Sequence, residues 1–133
     1  MTPMTTELTV LATYGLVIIA LLMVQVALVV QRMGIMFVAS PRDDAPRVDG
    51  IAGRAVRTVD NSIAAMALFA PAVLALHVQD AGTQGTAIAA IVFLVARLVF
   101  VPLYLSGVYF VRGPVWMTGL FATAYLYYAA IPA

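Results

Sequence analysis

An arginine lies in the middle of a long apolar stretch of this chain, where a charged side chain is least expected. Arg97 is flanked by the runs 89–96 and 98–101, neither of which contains another charged residue. A charge at the centre of a membrane-spanning helix costs at least about 2.5–3.5 kcal/mol on insertion scales, so it faces a protein interior, a partner charge or a water-filled cavity. We expect Arg97 either to pair with a carboxylate or with backbone carbonyls, or to bind an anionic ligand.

Polar side chains recur at helical spacing on two segments, so each set falls on one helix face. The first set is Arg54, Arg57 and Asn61, and the second set is Arg97, Phe100 and Tyr104. If the two faces meet, their guanidinium groups and neutral hydrogen-bonding groups form a cationic, partly dry pocket. Such a pocket suits an anionic ligand, because guanidinium groups bind carboxylates bidentately. Ordinary flanking charge is the alternative interpretation, and it fits Arg54 better than Arg57.

The composition places the chain in a lipid bilayer. Of its 133 residues, 64% are hydrophobic and 10% are charged, whereas soluble domains have about 45–50% apolar and about 25% charged residues. Soluble enzyme folds are therefore excluded. The chain has no cysteine, one histidine and six scattered acidic residues, so we expect no disulfide, no cysteine nucleophile and no metal site. Nothing in the sequence predicts a nucleic-acid partner.

Four apolar stretches predict a single all-α membrane domain over residues 1–133, with transmembrane helices at about 8–38, 53–78, 86–111 and 115–130. The first stretch is too long and has the wrong flanks for a cleaved signal peptide, so we expect it to stay as a helix. The apolar runs are continuous rather than alternating, which argues against an outer-membrane barrel. The predicted architecture is a four-helix bundle.

The arginines predict the orientation of this bundle. Six of them lie at the first and third connections between the apolar stretches: Arg32, Arg42, Arg47, Arg54, Arg57 and Arg112. The N-terminus and the second connection instead carry Glu7 and Asp80. By the positive-inside rule, the first and third loops lie in the cytoplasm and both termini lie on the non-cytoplasmic side.

The combination of these features resembles the MAPEG superfamily, the membrane-associated proteins in eicosanoid and glutathione metabolism. The resemblance spans essentially the whole chain, and the segment 53–61 is similar to the Arg and Asn signature of the family's second helix. The other residues that carry it are Arg97 with Tyr104, Arg112 with Pro114 and Trp116, and Arg32 ahead of Ser40 and Pro41.

The resemblance implies a homotrimer of four-helix protomers in a bacterial inner membrane, with glutathione bound between neighbouring subunits near the cytoplasmic side. The binding residues that it implies are Arg57 and Asn61 for the peptide groups, Arg97 and Tyr104 for deeper polar groups, and Arg32 from the adjacent subunit. It also implies that Arg112 is the catalytic residue beside the thiol. A guanidinium there lowers the pKa of a thiol, which is a general route to an activated sulfur nucleophile.

Two positions depart from the family pattern. Active members have a glutamate three residues after Asn61 that binds the free amine of the ligand, and this chain has Ala64 there. Asp60 precedes Asn61 by one residue, so it points about 100° away on a helix. Val59 stands where some members have a histidine.

Two functions therefore remain open. The first is a glutathione-dependent transferase or peroxidase that acts on lipophilic electrophiles, and the retained polar residues favour it, because such groups are costly in a membrane. The alternative is a non-catalytic MAPEG-fold protein that binds lipid or serves as an accessory subunit of a larger membrane complex, and Ala64 favours it. An anion or lipid transporter that uses Arg97 is a weaker third interpretation, because four short spans without broken half-helices argue against it.

Overall fold

The fold is all-α, as predicted. The computed structural model describes residues 5–41, 47–108 and 110–132. These residues form the helices α1 (Thr6–Met33), α2 (Ile35–Ala39), α3 (Gly50–Val78), α4 (Gln84–Leu105) and α5 (Arg112–Ala130), and they contain no strand. The predicted loop residue Arg42 lies outside the described residues.

The first predicted helix is divided at Gly34. The helix α1 begins at a cap in which the Thr5 hydroxyl accepts the backbone N–H of Leu8 at 3.2 Å. It ends where Gly34 adopts a φ of 90°, a left-handed conformation that only glycine enters without steric cost. The prediction of one helix to residue 38 is therefore wrong, because Gly34 breaks it and the short α2 follows.

The helix α4 is also shorter than predicted, ending at Leu105 rather than near residue 111. Gly107 follows with a φ of 83°, and the side chain of Arg54 occupies the helix end, where its Nε donates to the Leu105 carbonyl at 2.8 Å. That bond satisfies one of the carbonyls that a helix terminus leaves free. Arg97 therefore lies about 12 Å from this end of α4, at a rise of about 1.5 Å per residue.

The core is built from aromatic rings and small side chains of the four long helices. Phe93 of α4 stacks on Phe69 of α3 with ring centroids 3.9 Å apart, and Tyr14 of α1 meets its edge at 5.0 Å. Buried alanines such as Ala72 and Ala90 surround these rings, and small residues let helices approach closely in membranes. The most extensive pairings are α1 with α3 and α4 with α5.

Three of the helices, α1, α3 and α4, are long and apolar enough to cross a membrane. The helix α5 has 19 residues, but Arg112 in its first turn and the tyrosines near its end make it more polar. Three of the four predicted spans are thus found as helices of sufficient length and apolarity, and the crossing by α5 stays a prediction. Large apolar side chains such as Leu16 and Phe121 are more than half exposed, which suits an integral membrane protein in contact with lipid.

A carboxylate is buried at the N-terminal end of α4. Glu7 is only 5% exposed, and its carboxylate contacts the hydroxyl of Thr86. Thr86 also forms a capping box with Thr83 at the start of α4. These contacts attach the first turn of α1 to the first turn of α4, and they keep Glu7 away from the arginines.

Candidate functional site

Tyr104 joins two arginines that are far apart in sequence. Its phenolic oxygen accepts a hydrogen bond from Nε of Arg57 at 3.2 Å. The guanidinium carbon of Arg112 lies 4.7 Å from the centroid of the same ring, which is cation–π geometry. The three side chains come from α3, α4 and α5, so this contact draws the three helices together near the end of α4.

Arg97 is buried at the α3–α4 contact, with 2% of its surface exposed. Its Nη2 donates to the Ser62 hydroxyl at 3.1 Å, and its guanidinium carbon lies 4.4 Å from the ring centroid of Phe100. Its Nε has no hydrogen-bond partner among the described residues, and no carboxylate in that part of the chain forms an ion pair with it. The expected pairing of Arg97 with a carboxylate is thus not found among the described residues.

Ser62 is a site residue that the sequence analysis missed. Its side chain is fully buried, and its backbone carbonyl accepts a hydrogen bond from the Tyr14 hydroxyl at 2.9 Å. Ser62 therefore connects α1 to Arg97 on α4. Its position directly after Asn61 in an apolar helix was the available signal, but that signal is weak because serines in helices usually bond to their own backbone.

A cavity of about 90 Å³ lies between α3, α4 and α5, and we call it the deep cavity. Its polar lining comes from Asn61, Arg97 and Thr123, and Ala64 forms part of its wall. The oxygen Oδ1 of Asn61, like Nε of Arg97, is buried and has no hydrogen-bond partner within the described chain. Because orphaned buried polar groups are costly and uncommon, these two atoms mark the deep cavity as a place for a polar ligand group.

A second cavity of about 200 Å³ adjoins the first, and we call it the mouth cavity. Asn61 and Trp116 line both of them, and the mouth cavity adds Phe100, Tyr104 and Arg112. The two cavities together form the cleft. Four predicted site residues line the cleft: Asn61, Arg97, Tyr104 and Arg112. Arg57 adjoins it through its hydrogen bond to Tyr104.

The comparison with protein families decides how this cleft is interpreted. The model of the MAPEG family matches residues 10–132, which is nearly the whole chain. The chain belongs to the MAPEG family. No curated protein and no solved structure matches it significantly. The family assignment confirms the resemblance drawn from the sequence and indicates a membrane protein related to glutathione or eicosanoid metabolism.

In this MAPEG chain, Arg32 lies apart from the cleft. Its side chain is exposed and forms an ion pair with Asp49, and it borders a separate cavity of about 170 Å³ between the end of α1 and the start of α3. An exposed surface ion pair contributes little to stability. The expectation that Arg32 reaches the cleft of an adjacent subunit concerns an assembly, and it stays a prediction.

The cleft of this MAPEG protein is cationic. Among the described residues, neither cavity is lined by a carboxylate. Asp60 is exposed, while its neighbour Asn61 turns its side-chain oxygen inward, as the helical angle between them predicts. The arrangement can hold an anion through guanidinium groups and can accept one hydrogen bond at Asn61.

Proposed function

We propose that this MAPEG protein is a glutathione-dependent transferase or peroxidase that acts on lipophilic electrophiles. The observation that carries the proposal is the cleft itself. Three helices direct Asn61, Arg97 and Arg112 toward one space, and two of these side chains have buried hydrogen-bonding atoms without a partner among the described residues. Side chains so costly to bury in a membrane are best explained by a ligand that they bind.

The cleft residues suit the chemical groups of a tripeptide thiol. Arg97 and Arg57 would bind carboxylate or carbonyl oxygens, because a guanidinium donates several hydrogen bonds in a fixed fork. Asn61 would accept a peptide N–H at Oδ1. Tyr104 would keep Arg57 oriented toward the ligand, since its hydroxyl already accepts the Nε hydrogen bond.

Arg112 is the residue that we assign to the chemical step. Its guanidinium rests on the Tyr104 ring at the mouth cavity, where it would stabilise a thiolate and so lower the pKa of the thiol. Glutathione supplies the sulfur nucleophile, whose proton passes to solvent as the sulfur lone pair bonds to the electrophile and the leaving group departs with its bonding electrons. In this assignment Arg112 holds negative charge at sulfur and transfers no proton.

The assembly belongs to the same proposal. Family membership supports a homotrimer in which the cleft faces a neighbouring subunit and Arg32 of that neighbour completes the site. The loops that carry the arginines would lie in the cytoplasm, where a water-soluble thiol reaches the mouth cavity. The apolar outer faces of the helices would deliver the electrophile from the bilayer.

The test uses purified protein in nanodiscs, with glutathione and a chlorodinitrobenzene electrophile. We expect Arg112→Gln to lower kcat by about tenfold or more, as is usual when one charge-stabilising donor is removed, while glutathione binding by calorimetry changes less. Arg112→Lys should retain more activity, because it keeps the positive charge. The control is Arg47→Gln at an exposed position outside the cleft. Full activity in Arg112→Gln would remove Arg112 from the chemistry.

A second function is favoured by one observation. Ala64 lines the deep cavity at the position where active family members are expected to have a glutamate. A protein that had lost glutathione binding could keep the fold as a lipid-binding or accessory subunit of a larger membrane complex. An intact oligomer that binds no glutathione but retains lipid or a protein partner after purification would support this alternative.

A further inference from the structure

The cleft has a charge imbalance that restricts the ligand. Arg97 and Arg112 line its two cavities and Arg57 adjoins them through Tyr104, whereas no carboxylate among the described residues lines either cavity. The single ion pair in the described chain joins Arg32 to Asp49, outside the cleft. An ammonium group placed here would be close to guanidinium charges, with no carboxylate of the described residues to pair with it. Leaving a buried charge unpaired is strongly destabilising.

The two orphaned atoms restrict the ligand further. Oδ1 of Asn61 needs one hydrogen-bond donor, and Nε of Arg97 needs one acceptor. An ammonium group offers three donors, no acceptor and a positive charge. A secondary amide offers one N–H donor and one carbonyl acceptor and has no charge, so acylation of the amine removes the repulsion from the arginines and adds a group that can satisfy such atoms.

The side chain at position 64 could have supplied a negative charge to the cleft, but it is an alanine. Its side chain lies on the deep cavity beside Asn61 and Arg97, so a longer acidic side chain there would reach the space in which these atoms are unpaired. Asp60, the nearest acidic residue in sequence, is exposed. No carboxylate of the described residues thus lies beside Ala64, and the space there is open to an uncharged ligand group.

We infer that the cleft takes an anionic thiol whose amino group is acylated, in preference to a thiol with a free ammonium group. This inference rests on the proposed function, because it names the class of thiol that the same site uses. Asn61 and Arg97 remain available to the amide and carboxylate groups of such a peptide, and Ala64 leaves room for the acyl group.

Calorimetry on the oligomer in nanodiscs tests the inference, using glutathione and N-acetylglutathione under reducing conditions. The two peptides differ by the charge and acylation of one nitrogen. We expect the unaltered protein to bind N-acetylglutathione at least about tenfold more tightly, a ratio that corresponds to about 1.4 kcal/mol. Ala64→Glu should reverse this preference, and Ala64→Gln, which has nearly the same size but no charge, should not. The mass of the oligomer is recorded for each variant.

A second variant covers the case in which Ala64→Glu does not assemble. Asn61→Asp places a carboxylate in the cleft with almost no change in shape, and it should shift the preference toward glutathione. If the unaltered protein binds glutathione as tightly as the acetylated peptide or more tightly, the inference is wrong and the proposed function stands. If neither peptide binds to an intact oligomer, both are wrong.

Discussion

The guanidinium of Arg112 lies over the ring of Tyr104, 4.7 Å from its centroid, while the hydroxyl of that ring accepts a hydrogen bond from Arg57. One aromatic side chain thus orients two cations, one by its face and the other by its oxygen. Neither contact uses a carboxylate, so both arginines keep their charge available for an anion. Tyr104 is therefore the side chain on which the geometry of the mouth cavity depends.

Tyr104→Phe should separate these two contacts. It removes the oxygen that holds Arg57 and keeps the ring under Arg112. A hydrogen bond to a charged group contributes about 1.5–3 kcal/mol, so we expect thiol-peptide affinity to fall by about tenfold while kcat at saturation changes little. Calorimetry and steady-state kinetics on the same nanodisc sample measure the two effects. Tyr127→Phe, on an exposed part of α5, is the matched control, and an equal loss there would contradict a specific role for Tyr104.

Ser62→Ala should destabilise the fold through Arg97. The substitution leaves Nη2 of a buried guanidinium without its partner, and an unsatisfied buried donor costs about 1–3 kcal/mol, more when it is charged. In an Arg97→Met background the same change should cost much less, because the group that needs the hydroxyl is gone. Reversible unfolding in detergent gives the free energy of unfolding for the unaltered protein, the two single variants and the double variant. Similar costs in both backgrounds would show that the Ser62–Arg97 hydrogen bond adds nothing to stability.

Arg54→Ala should loosen the end of α4 without changing ligand binding. The Nε of Arg54 satisfies the Leu105 carbonyl, so its removal exposes a helix terminus and costs about 1 kcal/mol. We expect faster hydrogen exchange in the segment 104–108 and unchanged thiol-peptide affinity. Arg47→Ala, at an exposed position, serves as the comparison. A large loss of affinity in Arg54→Ala would instead place Arg54 in the binding site.

The sequence predicted the residues of the cleft better than the ends of the helices. Asn61, Arg97 and Tyr104 could be found because polar groups in long apolar runs need a structural reason, and helical spacing then places them on facing surfaces. The ends of α1 and α4 could not be found, because the glycines at 34 and 107 and the bond from Arg54 act through backbone conformation and tertiary contact. Ser62 was missed because its role depends on Arg97, which lies on another helix.

The orientation in the membrane gives a further prediction. If α5 crosses together with α1, α3 and α4, the two ends of the chain lie on the same side, whereas three crossings would put them on opposite sides. We expect reporter fusions near Arg47 to be cytoplasmic, and fusions in the turn at Asp80 and after residue 132 to be non-cytoplasmic. A cytoplasmic reporter after residue 132, with the other two as expected, would show that α5 does not cross.

The hydrogen bonds around Ser62 also bear on how the chain enters the membrane during synthesis. Tyr14 and Ser62 belong to α1 and α3, which emerge from the ribosome before α4, and domains form from the N-terminus onward. The hydroxyl that accepts the hydrogen bond of Arg97 and the tyrosine that braces that serine are therefore synthesised before Arg97. We expect the insertion of α4 as a membrane helix to depend on the preceding helices as well as on its own hydropathy.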